Sequence, residues 1–175
     1  MRNVKAEWNI SADSIDSLKQ MIFDLEAIRS NSESVADYLT SSEEKAPRFA
    51  ERKSTYKLKK DIVEKIKAYA GSAVVVVFSA EWCPDCFRNV PVLGLVSEQT
   101  GLEVRVFGHL MRNAKNPNEK WAIPPSPPEV RVFNVIKIPL ITLLNQDGEK
   151  LGELVENPPK GVTLEEAVLD ILLKA

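Results

Sequence analysis

Two cysteines and one histidine are the only thiol and imidazole groups in the 175 residues. One chain cannot close a four-ligand tetrahedral zinc site from so few. Two cysteines two residues apart also make a poor structural staple, and that spacing suits a redox or metal motif instead. Long apolar runs are missing too. The longest, Ala73 to Phe78, is far short of the roughly 20 residues that span a bilayer. The first residues, Met1-Arg-Asn-Val-Lys-Ala-Glu-Trp8, lack the apolar core and small-residue cleavage site of a secretory leader, so the expected location is the cytoplasm. Nor is there an excess of one charge. With 23 Lys and Arg against 25 Asp and Glu, the net charge of -2 gives no electrostatic reason to expect nucleic acid or an anionic membrane as partner. The one local imbalance, nine basic against three acidic residues from Lys45 to Lys67, is read as a solvated helix face.

What is present describes a folded domain. A hydrophobic share of 44% and a charged share of 27% exclude disorder and fibrous repeats, and the length suits one domain with an extension. Ile15, Leu18, Met21, Ile22, Leu25 and Ile28 recur at helical spacing behind the caps Asp13 and Ser14. Val35, Tyr38 and Leu39 can seat a short helix. Leu58, Ile62, Ile66 and Tyr69 predict another, closed by a left-handed Gly71. Val74 to Phe78 reads as a strand covered on both faces, Cys83 to Thr100 as a helix ended by Gly101, and Leu102 to Phe107 as a second strand. Asn113 to Pro128 is a long loop. A short helix over Glu129 to Val135 precedes a hairpin of Leu140 to Leu144 and Lys150 to Val155. A last helix, Thr163 to Leu173, is capped by Thr163 with Glu166 three residues on. This alternation calls for an α/β fold.

The run Phe78-Ser-Ala-Glu-Trp-Cys-Pro-Asp-Cys86 sits where a buried strand gives way to a helix. Free N–H groups and the partial positive charge of a helix start favour a thiolate. Cys83 falls at the cap, Pro84 at the first helical position where its missing donor matters least, and Cys86 one turn in. Cys83 is therefore expected to be exposed and to attack a disulfide, and Cys86 to lie deeper and resolve the mixed disulfide. Trp82 is placed to shield the sulfurs.

The segment Ala80-Glu81-Trp82-Cys83 resembles thioredoxin. Pro91 stands where that family kinks its active-site helix, and Ile138-Pro139 followed by Leu140 to Leu144 resembles its cis-proline loop and hairpin. The resemblance covers residues 58 to 175 and implies a thioredoxin-like fold, a central mixed β-sheet flanked by helices, with residues 1 to 57 as an N-terminal helical extension. It implies a cis Pro139 and an Ile138 backbone that pairs with an extended substrate segment. It further implies reduction of protein disulfides through a Cys83–Cys86 redox-active disulfide, with no bound cofactor or metal. Substrate proteins, an external reductant and a recycling reductase would be its partners.

Two departures stand out. The family's buried acid, six positions before the first cysteine, is replaced by Val77, and the intervening dipeptide is Pro84-Asp85. Asp85 suits the helix dipole but disfavours a second negative charge on Cys83. It is also the candidate to take the Cys86 proton in place of the missing acid. Trp121 is either a substrate contact or a packed side chain, and His109 has no matching role. Other readings stay open at this point: a glutathione-dependent glutaredoxin-like reductase, a zinc half-site completed by a second chain, and a redox-inactive binding module.

Overall fold

In a computed structural model, residues 21–175 are described. In chain order they form α1 (Leu25–Asn31), β1 (Glu33–Ser34), α2 (Val35–Ser41), α3 (Pro47–Thr55), α4 (Lys60–Lys67), β2 (Ala73–Phe78), α5 (Pro84–Thr100), β3 (Glu103–Phe107), α6 (Glu129–Val132), β4 (Leu140–Asn145), β5 (Lys150–Val155) and α7 (Leu164–Leu173). The strands make one mixed sheet in the order β1-β3-β2-β4-β5. The β2–β3 pair is parallel; β1–β3, β2–β4 and β4–β5 are antiparallel. The fold is thioredoxin-like, an α/β arrangement with helices packed around a central mixed sheet.

The valines of β2 lose little rotamer freedom in an extended chain, and every residue of this strand is buried. Burial on both faces follows from its place between β3 and β4. Phe78 at its end stacks on Phe107 of β3, with ring centroids 5.0 Å apart. The strand thus delivers Ser79 and the following turn to the sheet's C-terminal edge at a fixed height.

α5 begins at Pro84 with Cys83 as its cap and ends at Gly101, whose φ of 78° is the left-handed value expected there. Pro91 lies inside this helix. α7 carries the expected capping box, with Thr163 and Glu166 bonding each other's backbone.

Several expectations are corrected. The helical repeat from Ile15 to Ile28 does not run unbroken. Ile22 bridges Glu149, Phe23 N–H donates to Gly148 O at 2.8 Å, and the helix starts after Asp24, whose side chain caps Ala27. Ile15, Leu18, Asp13 and Ser14 lie outside the described residues. Gly71 is not left-handed, because the chain leaves α4 through successive turns, Ala70 N–H to Lys67 O and Ser72 N–H to Tyr69 O. The edge strand β1 and the helix α3 have no clear signature in the sequence.

The segment before residue 58 is tied closely to the sheet. Arg29 grips Glu103 with two bonds of 2.9 and 2.8 Å, and Arg105 donates to the carbonyls of Arg29 and Ser32. Tyr38, Leu39 and Phe49 belong to the same buried cluster as β2 and α5. At the other end, the buried Glu165 carboxylate accepts from Tyr56 Oη at 2.8 Å and from Lys59 N–H at 3.2 Å.

Candidate active site

Cys83 closes the N-terminus of α5. Its φ and ψ of -82° and 121° are extended, as a cap requires, and its sulfur accepts the Cys86 N–H at 3.4 Å. On its other side the thiol donates to the carbonyl oxygen of Ile138 at 3.6 Å. The Ile138–Pro139 peptide is cis, as the resemblance implied. Both cysteines are free thiols.

One expectation about access is corrected. Cys83 is only 4% exposed and Cys86 is fully buried, so the first sulfur is the shallower of the two without being open. The Ile138 carbonyl closes one approach. Trp82, half-exposed beside it, is anchored through its Nε1 to Leu110 O at 3.1 Å and stacks on Trp121. Trp121 is itself buried, with its Nε1 donating to Ile136 O at 2.8 Å, so its side chain packs the floor of the loop.

The two thiols are driven apart in acidity. Cys83 is drawn down to about 7, first by the hydrogen bond from the Cys86 side chain and then by the N–H groups of Cys86 and Asp85; partial burial and the Asp85 charge oppose this. Burial pushes Cys86 strongly upward, and the neighbouring Cys83 adds to the push. Of the two, Cys83 is the thiol that ionises more readily.

Asp85 is held elsewhere than at Cys86. Its Oδ1 accepts from Arg88 Nη1 at 2.9 Å and from Asn157 Nδ2 at 3.0 Å. Asn89 locks the same turn, donating to Asp85 O at 3.0 Å and to Glu156 O at 2.8 Å. Val77 is buried and apolar where the family has its acid.

A thioredoxin family model matches residues 32–125, more than half of the chain. The chain belongs to the thioredoxin family. Solved structures agree on the thioredoxin-like fold. An HIV epitope-scaffold superposes with a TM-score of 0.61 at 20% identity, over 87% of this chain and 99% of its own. A protein of unknown function from Pseudomonas aeruginosa superposes with a TM-score of 0.59, also at 20% identity, over 87% of this chain and 97% of its own. No curated protein matches. The match to thioredoxin begins inside the N-terminal segment, and that segment brings residues to the site that the motif alone does not reveal.

Tyr38 of α2 is fully buried, with its hydroxyl 3.0 Å from Ser79 Oγ at the end of β2. The Ala80 N–H and Ser79 act on Cys86 in the sense opposite to burial, drawing the thiol down against the larger upward push. The spacing of Val35, Tyr38 and Leu39 predicts only a short helix; no local pattern signals a partner 41 residues away. His109 lies between Glu81, two residues before Cys83, and Glu33 of β1. Among the described residues no group of three His, Cys, Asp or Glu is arranged to hold a metal, and no helix is long and apolar enough to cross a membrane.

Proposed function

We propose that this thioredoxin-family protein is a thiol–disulfide oxidoreductase that reduces disulfides in other proteins. The observation that carries the reading is the split of the Cys83–Cys86 pair, one thiol drawn down to about 7 at a helix cap and the other buried and held protonated. The Cys83 thiolate attacks a substrate disulfide, forming a mixed disulfide and releasing one substrate thiolate, which takes up a proton. Cys86 then gives up its proton and attacks Cys83 Sγ. The Cys83–Cys86 bond forms, the bond to the substrate sulfur breaks, and the second substrate thiol leaves. Two electrons have passed from the protein to the substrate.

Pro84 and Trp82 shape the approach in this reading, and the Ile138 carbonyl beside Cys83 offers an extended substrate segment a backbone partner. No bound cofactor is needed. An external reductant or a recycling reductase returns the dithiol, and the cytoplasm, where thiols are kept reduced, is the matching compartment. Replacing Cys86 by Ser and isolating mixed disulfides on Cys83 from cells tests the substrate class. Protein adducts released by a dithiol are expected; adducts with glutathione alone would favour the glutaredoxin-like alternative.

A further inference from the structure

The site has two halves, the Cys83 cap of α5 and the Ile138–Pro139 loop before β4. The thiol of Cys83 joins them directly by its 3.6 Å bond to Ile138 O. A thiol is a weak donor, and once Cys83 is a thiolate it has no proton to give. Another connection must then keep the loop in register with the cap while a substrate is bound.

Asn89 supplies that connection. It lies on α5 about one turn beyond Cys86 and is buried. Its amide nitrogen meets three oxygens: Asp85 O at 3.0 Å in the first turn of the same helix, and Glu156 O at 2.8 Å and Asn157 Oδ1 at 3.0 Å just after β5. Three acceptors around one atom identify it as the NH2 group, whose protons they share. Glu156 carries the connection onward, because its own N–H donates to Pro139 O at 2.8 Å. The path from cap to loop therefore runs from Asp85 O through the Asn89 side chain and the Glu156 backbone to Pro139, the residue next to Ile138. Asn157 braces its first step, donating through Nδ2 to Asp85 Oδ1 at 3.0 Å and accepting from Arg88 Nη1 at 3.3 Å.

The backbone of Glu156 is held against its preference. Its φ is 64°, in the left-handed region where a residue with a Cβ is uncommon. Such a conformation persists where the surroundings over-determine it, and here the N–H is bound by Pro139 and the C=O by Asn89. The carboxylate is engaged separately, by Lys137 Nζ at 3.0 Å near the surface. The strut is thus made by the backbone of this residue.

We infer that Asn89 is a positioning residue for substrate: through Glu156 it holds the Ile138–Pro139 loop in register with the Cys83 cap, so that an extended protein segment paired with the Ile138 backbone presents its disulfide to the sulfur. Asn89 touches no reacting atom. A small disulfide that does not pair with the loop has no need of the strut, so this residue sets a preference for extended polypeptide substrates. The inference rests on the exchange chemistry proposed above and deepens it by naming what selects the substrate class.

The test compares a protein disulfide with Ellman's reagent, a small aryl disulfide, in the parent protein and in Asn89→Leu, which fills similar space without the donors. For the protein disulfide KM should rise about tenfold while kcat stays within about twofold, the pattern of lost binding on the scale of a hydrogen bond or two. The reaction of Cys83 with Ellman's reagent should change by less than about twofold. Glu156→Gly keeps both backbone bonds, and its KM should rise less than that of Asn89→Leu. Exchange of the Glu156 amide with solvent should quicken in Asn89→Leu relative to the amides of β2, because the strut has lost one end.

An unchanged KM for the protein disulfide in folded Asn89→Leu, or an equal loss with both disulfides, would overturn the inference. So would a KM in Glu156→Gly as high as in Asn89→Leu. If Asn89→Leu does not fold, Asn89→Ala is read by the same criteria. If the parent protein reduces Ellman's reagent but no protein disulfide, the reductase reading fails, and the Glu156 amide then decides this inference alone: faster exchange in the variant supports it and unchanged exchange overturns it.

Discussion

The sulfur of Cys83 and the carbonyl oxygen of Ile138 lie 3.6 Å apart across 55 residues of chain. The helix cap and the loop before β4 are therefore two halves of one site, each set by a different strand of the sheet. This arrangement makes Cys83 reactivity the most direct readout of the site's electrostatics.

Alkylation of the reduced protein by iodoacetamide should follow the Cys83 thiolate, with a midpoint near pH 7 where an ordinary thiol stands at 9.0. The sign follows from the downward shift: the thiolate is present above about 7 and lost below it, with a tenfold fall per pH unit on the acid side. A midpoint near 9 would mean that the cap does not stabilise the thiolate.

Asp85→Asn removes a charge that raises Cys83 while leaving an oxygen for Arg88 and Asn157. The alkylation midpoint should therefore fall below that of the parent protein. A rise would show that the carboxylate supports the thiolate, contrary to its geometry.

Gly108→Ala drives a methyl group into the Tyr38 ring. Overpacking of this kind costs about 1–3 kcal/mol, so the denaturation midpoint should drop by a readily measured amount. Wild-type stability in this variant would mean that Tyr38 is not seated against residue 108.

Glu165→Ala strips Tyr56 Oη and Lys59 N–H of their acceptor. Losing a charged acceptor and leaving donors unmet is expected to lower stability by about 1–3 kcal/mol, read by chemical denaturation. Glu165→Gln, which keeps an acceptor oxygen, should recover part of the loss.

The fold and the core of the site were legible where local pattern and tertiary role coincide. Four consecutive valines can only be a buried strand in this context, and Trp82-Cys83-Pro84-Asp85-Cys86 carries its own cap, first-turn proline and spacing. Gly101 and the Thr163–Glu166 box likewise act within their own turns. What escaped depends on distant partners. β1 exists because Glu33 and Ser34 meet Val106 and Arg105, and nothing in a two-residue strand announces that. Tyr38 shows helical periodicity whether or not Ser79 lies behind it. Gly71 looked like a helix stop, but the turns after α4 close with ordinary backbone. The depth of Cys83 depends on the Ile138 loop, which the motif does not contain.

The central claim is that the Cys83–Cys86 pair reduces protein disulfides, and the most direct measurement is turnover of a model protein disulfide with a dithiol donor. The intact protein should accelerate reduction well above the donor alone, Cys83→Ser should abolish the acceleration, and Cys86→Ser should allow adduct formation without turnover. Equal rates for the intact protein and Cys83→Ser, with both folded, would contradict the account.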